Sequence, residues 1–273
     1  MNDVERLEHY IDIWRQIVAE NVALLRTLDA EDWDKPTDLP GWNVRYIAAH
    51  LAHLESELAG NPQRQVEVPA APHIKSPMSV FTESGPLARA DWTTAEIIDE
   101  IESAAAKRAE ALRAMMPLDP TAPGDGFAAV VGWDWATLLS NRVIDVWMHQ
   151  QDIRRAVDRP GGLAGEGGAH ALTVFSRSLP YVLGKRVAPP PGTTVVLDIT
   201  GEHPATLAAA MGEDGRAARL ASIPADPTVH LSLDFETFIV LCGGRRTPDQ
   251  VTARITGDHE LGAAVLTNLA VTL

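Results

Sequence analysis

Asn141-Arg142-Val143-Ile144-Asp145-Val146-Trp147-Met148-His149-Gln150-Gln151-Asp152-Ile153-Arg154-Arg155 is the stretch on which the reading of this chain turns. It lies in a pattern that predicts a helix from near Trp133-Asp134 to about Val157, stopped by Arg159-Pro160-Gly161-Gly162. Residues four apart on a helix share a face with Cβ atoms about 5–6 Å apart, so Asp145 and His149 are neighbours. A carboxylate and an imidazole so placed can bind one divalent metal from a single helix. Asp152, three residues beyond His149, can hold an imidazole N–H as an outer partner, or act as a base. The plainer reading is an ordinary polar i,i+4 pair.

Working outward, three more long helical patterns precede this one. The first runs from about Asp3 to Leu28, with Leu7, Ile11, Trp14, Ile17, Val18, Leu24 and Leu25 at helical spacing. The second starts after Pro40-Gly41-Trp42 with Asn43 as N-cap and runs to Gly60. The third opens on Thr93-Thr94-Ala95-Glu96, a capping box, and ends before Pro117. Between the second and third, the Pro-rich stretch Asn61 to Pro86 reads as a long functional loop. Four apolar stripes that cannot be buried alone predict an up-down four-helix bundle.

A shorter helix is expected from Ala169 to about Leu179, and then Pro189-Pro190-Pro191-Gly192 reads as a linker. Beyond it the period changes. Strands are expected at Thr193–Thr200, Thr206–Ala210, Ala217–Ser222, Val229–Leu233 and Val251–Thr256, with helices at Asp234–Leu241 and His259–Leu269. The expectation is a two-domain α+β protein, with a helical domain over 1–188 and a small α+β domain over 189–273. All seven tryptophans lie at or before Trp147, in keeping with two differently built halves.

Composition narrows the function. The 273 residues carry 23 Lys+Arg against 37 Asp+Glu, a net charge of −14 that repels a phosphate backbone, so no nucleic-acid partner is expected. No apolar window approaches the ~18 residues of a membrane span. Met1-Asn2-Asp3-Val4-Glu5-Arg6 lacks a signal-peptide pattern, and a cytoplasmic protein without a membrane partner is expected. A monomer or homodimer is the expected assembly. The single cysteine, Cys242, permits no internal disulfide, so any zinc site must rely on His and carboxylate. Cys242 itself reads as a packed thiol.

The second helix offers His50 and His53; if it packs beside the fourth, one of them completes a three-ligand set that leaves a position open on zinc. The plainer readings are a satisfied buried His50 and an exposed His53–Glu57 pair. Trp42 and Trp133, each near a helix entrance, read as core. His9, His73, His170, His203, His230 and His259 have no partner at ligand spacing. The glycines at 161–168 follow no strand, and no Gly-x-Ser-x-Gly element is present.

The stretch Leu39-Pro40-Gly41-Trp42-Asn43-Val44-Arg45-Tyr46-Ile47-Ala48-Ala49-His50-Leu51 resembles the entry to the second helix of the DinB-like metal-binding bundles. Asp145-x-x-x-His149-x-x-Asp152 resembles the fourth-helix motif of the mycothiol-dependent maleylpyruvate isomerase family. Cys242-Gly243-Gly244-Arg245-Arg246 and Ile255-Thr256-Gly257-Asp258-His259-Glu260-Leu261-Gly262 resemble that family's sterol-carrier-like C-terminal domain. The resemblance implies Zn2+ at His50, Asp145 and His149, with Asp145 standing where the family archetype has Glu. It implies a catalytic arginine from Arg245 or Arg246, and mycothiol as thiol cosubstrate. Asp152 is then the remaining catalytic candidate, also as base should water fill the open position. The implied activity is thiol transfer to, or cis–trans isomerisation of, a small electrophile or unsaturated acid. Such an acid needs cations, for which Arg45, Arg142, Arg154, Arg155, Arg245 and Arg246 are candidates. The alternative is a non-catalytic binding or stress-response protein on the same fold, with the Asn61–Pro86 loop over an apolar ligand.

Overall fold

A computed structural model describes residues 2–71 and 74–272. Pro72 of the expected loop, and His73, lie outside the described residues. The chain forms two compact units, residues 1–160 and 161–273.

The first unit holds α1 (Asp3–Leu25), α2 (Val44–Leu58), α3 (Pro77–Ala88), α4 (Thr94–Met115), α5 (Phe127–Val131) and α6 (Trp135–Ala156). Local chemistry starts each long helix where the sequence predicts. Asn43 accepts from the Tyr46 N–H, Thr93 and Glu96 form a reciprocal capping box, and Asp134 accepts from the Thr137 N–H. The stripes then meet in a four-helix bundle: α1 packs on α6 and α4, and α4 packs on α2. Leu7, Trp14, Val18 and Leu25 of α1, Ile47 and Leu51 of α2, Ile97 and Ile101 of α4 and Leu138 and Val143 of α6 are buried. Each such aliphatic side chain contributes about 1.5–3 kcal/mol by leaving water. The fourth seam, between α2 and α6, is the most sparsely packed of the four, and it carries the polar cluster described below.

The Asn61–Pro86 stretch differs from its loop expectation, since its second half is α3. Ser76 caps that helix and Pro77 occupies its first turn, where a missing N–H costs nothing. Pro86 sits inside the last turn. Helix α3 lies against α2, with Gly85 so close to His53 that a Cβ there would stand 2.4 Å from the His53 Cβ.

The second unit begins before the expected boundary. It holds α7 (Glu166–Ser176), α8 (Leu179–Tyr181) with the wide turn Val182–Val187, then β1 (Thr194–Thr200), β2 (Ala205–Met211), β3 (Ala217–Arg219), β4 (Val229–Asp234), α9 (Phe235–Cys242), β5 (Arg254–Gly257) and α10 (His259–Thr267). The sheet order is β3-β2-β1-β4-β5, with β1 and β4 parallel and the other pairs antiparallel. Residues 161–188 group with this sheet because α8 packs on β2 and β3 and α7 on α9. The Pro189–Gly192 segment is therefore a turn into β1 rather than a division between units, and the Gly192 N–H donates to the Met211 carbonyl. Val195, Leu197, Ile199, Leu207, Leu231 and Leu233 line the sheet's buried face. Cys242 is fully buried, and burial pushes its thiol well above the ordinary range, as befits a packed side chain.

Candidate metal centre

Helix α6 presents Arg142, Asp145, His149 and Asp152 as one stripe, and α2 presents His50 across the open seam. One donor atom from each of His50, Asp145 and His149 lies within 4.8 Å of the others. His50 Nε2 is 3.8 Å from Asp145 Oδ2, and His149 Nε2 is 3.7 Å from Asp145 Oδ1. Zinc ligands at about 2.0–2.2 Å sit roughly 3.3–3.5 Å apart in a tetrahedron, so the cluster needs only a modest contraction. The donor set, two imidazoles and one carboxylate with no thiolate, is of the kind found in catalytic zinc sites.

Protonation suits ligation. Burial pushes the His50 imidazole below its ordinary range, which keeps it neutral, and the nearby Asp145 carboxylate opposes this only in part. Burial alone would raise the Asp145 carboxyl. The charge of Arg142, with help from His149 and His50, outweighs that and holds it far below the carboxylate range. Asp145 keeps a quarter of its side-chain surface exposed, so the cluster is open to solvent on one side.

Behind these three side chains, Asp152 is fully buried, with Oδ2 3.2 Å from His149 Nδ1. A carboxylate can only accept, so the Nδ1 proton is held there and the Nε2 lone pair faces the cluster. Arg155 donates to Asp152 Oδ1 (2.6 Å) and to Asp38 (2.7 Å). Asp152 thus takes the outer-partner arrangement of the two that its spacing allows. His50 Nδ1 has no hydrogen-bond partner among the described residues.

Trp42 corrects its core expectation. It is half-buried, its ring centroid 5.1 Å from that of His50 and 5.9 Å from that of His149, nearly parallel to the latter. Its indole donates to Glu83 Oε1 (3.1 Å), and the Tyr46 hydroxyl donates to Glu83 Oε2. Trp133 is likewise half-buried, edge-on to Phe127.

The structure also decides between the two α2 histidines. His53 is 4% exposed and outside the cluster, its Nδ1 3.0 Å from Gln63 Oε1. The expected exposed His53–Glu57 pair does not form. Glu57 instead accepts from the Phe127 backbone N–H, and burial raises its carboxyl. Glu55 and Glu83 are the residues that sequence reasoning missed. Neither stands at ligand spacing from His50, and each reaches its partners only through helix packing.

A match to the family described as "Mycothiol maleylpyruvate isomerase N-terminal domain" spans residues 14–154, more than half of the chain. The chain belongs to the mycothiol maleylpyruvate isomerase N-terminal domain family. Among solved structures it is similar to a "Crystal structure of the mycothiol-dependent maleylpyruvate isomerase", at 17% identity and a TM-score of 0.54, covering 93% of this chain and 95% of that one. A mutant of that isomerase matches at 17% identity and a TM-score of 0.52 over the same shares. At this identity the likeness is one of fold. No curated protein matches. The family match covers His50, Asp145, His149 and Asp152; Arg245 and Arg246 follow α9 in the second unit, where Arg245 donates to the Gly243 carbonyl (2.7 Å).

Among the cation candidates of the helical unit, Arg142 is matched by Glu55 and Asp145, and Arg155 by Asp38 and Asp152. Arg45 donates to the Trp92 carbonyl and Arg154 to the Arg159 carbonyl. No helix among the described residues is long and apolar enough to cross a membrane.

Proposed function

We propose that this chain is a zinc-dependent enzyme that activates mycothiol for transfer to, or cis–trans isomerisation of, a small electrophilic substrate. The observation that carries this reading is the convergence of His50, Asp145 and His149 in the open seam of a bundle of this family. The chain has no reactive thiol of its own, since Cys242 is buried and its pKa raised, so the sulfur must come from outside. A free thiol of pKa near 8.5 is mostly protonated at neutral pH. Zinc, when bound, supplies a Lewis-acidic centre that favours the thiolate form of a coordinated thiol.

The chain's own residues supply orientation. Asp152 holds the His149 Nδ1 proton and so acts as a positioning residue rather than an exposed base. Trp42 shields the two imidazoles, and Glu83 fixes Trp42. Addition of a thiolate to an activated double bond, rotation about the resulting single bond and elimination would isomerise an unsaturated acid. Attack with departure of a leaving group would transfer the thiol. On the family resemblance alone, Arg245 or Arg246 is proposed as the cation for an anionic substrate.

The test is elemental analysis of untagged protein, wild type beside His149→Ala, followed by assays of mycothiol-dependent cis–trans isomerisation of cis-enoic acids and of mycothiol consumption by electrophiles. Near-stoichiometric zinc lost in the variant, with thiol-dependent turnover, is expected. A wild type that takes up no zinc when reconstituted would overturn the reading in favour of a binding protein.

A further inference from the structure

Arg142 lies on α6 one turn before Asp145 and is 3% exposed. Its guanidinium is divided between two carboxylates: Nη1 donates to Asp145 Oδ2 (2.8 Å) and Nη2 to Glu55 Oε1 (2.7 Å). Glu55 belongs to α2, five residues beyond His50, and is 1% exposed. The same Oε1 accepts from the Trp14 indole of α1 (3.0 Å). Three helices are thereby joined through one arginine that also touches a member of the ligand cluster.

Position explains what the pair does. Across the α2–α6 seam the two backbones make the fewest close approaches in the bundle. The Glu55–Arg142 bridge crosses that seam next to the ligands. Asp145 has a short side chain, and its two oxygens face different ways: Oδ2 toward Arg142 and His50, Oδ1 toward His149. Arg142 occupies a lone pair of Oδ2 and restrains rotation of the carboxylate. Glu55 thus anchors the guanidinium that donates to Asp145 Oδ2.

We propose that Glu55 and Arg142 are a positioning pair that sets the α2–α6 spacing at the ligand cluster and aims Asp145 so that it binds metal through a single oxygen. This inference rests on the metal reading above. Outer-shell partners of this kind alter metal affinity by about 10–100-fold when removed.

The test uses the full chain, wild type beside the double variant Glu55→Leu/Arg142→Met, which leaves neither member of the pair as an uncompensated buried charge. Zinc affinity is read by chelator competition, and the visible spectrum is read after loading with Co2+. Expected are zinc binding weakened at least about tenfold and the weaker, blue-shifted cobalt bands that accompany a higher coordination number, with helix content preserved. Unchanged or tighter zinc binding with an unchanged spectrum overturns the proposal and leaves the pair structural. Should the double variant fail to fold, Arg142→Lys, which keeps the charge but replaces the rigid planar fork with a single ammonium, must show the same two changes. A folded Arg142→Lys chain with wild-type affinity and spectrum overturns the proposal too. A wild-type chain that binds neither ion overturns the metal reading itself, and this inference with it.

Discussion

Asp152→Asn is the sharpest single perturbation of the candidate centre, because it keeps the shape while removing the charge and exchanging one of the two acceptor oxygens for a donor. Asp152 is fully buried, receives the His149 Nδ1 proton at 3.2 Å and accepts from Arg155 at 2.6 Å. An asparagine amide can turn its N–H2 toward His149 and its carbonyl toward Arg155. The imidazole must then accept at Nδ1, which moves the proton to Nε2 and removes the lone pair facing His50 and Asp145. Restoring the ligating tautomer means breaking that hydrogen bond, and an outer-shell loss of about 10–100-fold corresponds to about 1.4–2.7 kcal/mol of zinc affinity. Arg155 retains Asp38, so the apo-protein loses less stability than a fully orphaned buried charge would bring, which is about 3–5 kcal/mol. Chelator competition measures the first quantity and thermal unfolding of the apo-protein the second. Zinc affinity within twofold of wild type in the folded Asn variant would refute the assignment of Asp152 as the residue that orients His149.

Three further outcomes follow from the geometry. Burial lowers the His53 imidazole to about 4, despite its Gln63 hydrogen bond, against about 6.5 in the unfolded chain. Between those values only the unfolded chain takes up the proton. Stability is therefore full above about pH 6.5 and declines by up to about 3 kcal/mol as pH falls toward 4. Denaturant titrations across that range should show this decline, and His53→Leu should lessen it, leaving the part that the buried His50 contributes. Gly85→Ala places a methyl 2.4 Å from the His53 Cβ and Cγ, so a loss of about 1–3 kcal/mol is expected from overpacking. A melting temperature equal to wild type would show that α3 can move away from α2. Cys242 should resist a thiol reagent in the native state and react fully in denaturant, since it is wholly buried with a raised pKa; rapid native labelling would contradict its packing.

Much of this protein was legible along the chain, because the signals involved are local. Helix periodicity, the caps at Asn43, Thr93 and Asp134, and the i,i+4 spacing of Asp145 and His149 depend on residues within a turn or two of each other. The change from helical to strand periodicity near Pro189 is local as well, and it announced a sheet. It did not mark the boundary between units, because residues 161–188 join the sheet's unit through long-range packing of α7 and α8. Helix α3 went unread because Pro86 masks a helix whose Ser76-Pro77 start is correct.

The sequence by itself determined which side chains α2 and α6 offer on each face. Only the tertiary structure decided how closely His50 approaches Asp145 and His149, that Trp42 covers imidazoles instead of filling the core, and that Arg142 is divided between Glu55 and Asp145. The physical reason is that a helical period fixes direction around one axis, whereas a ligand cluster depends on the distance and rotation between two axes. In this bundle those are set by core packing on the other seams and by one buried ion pair across the open one.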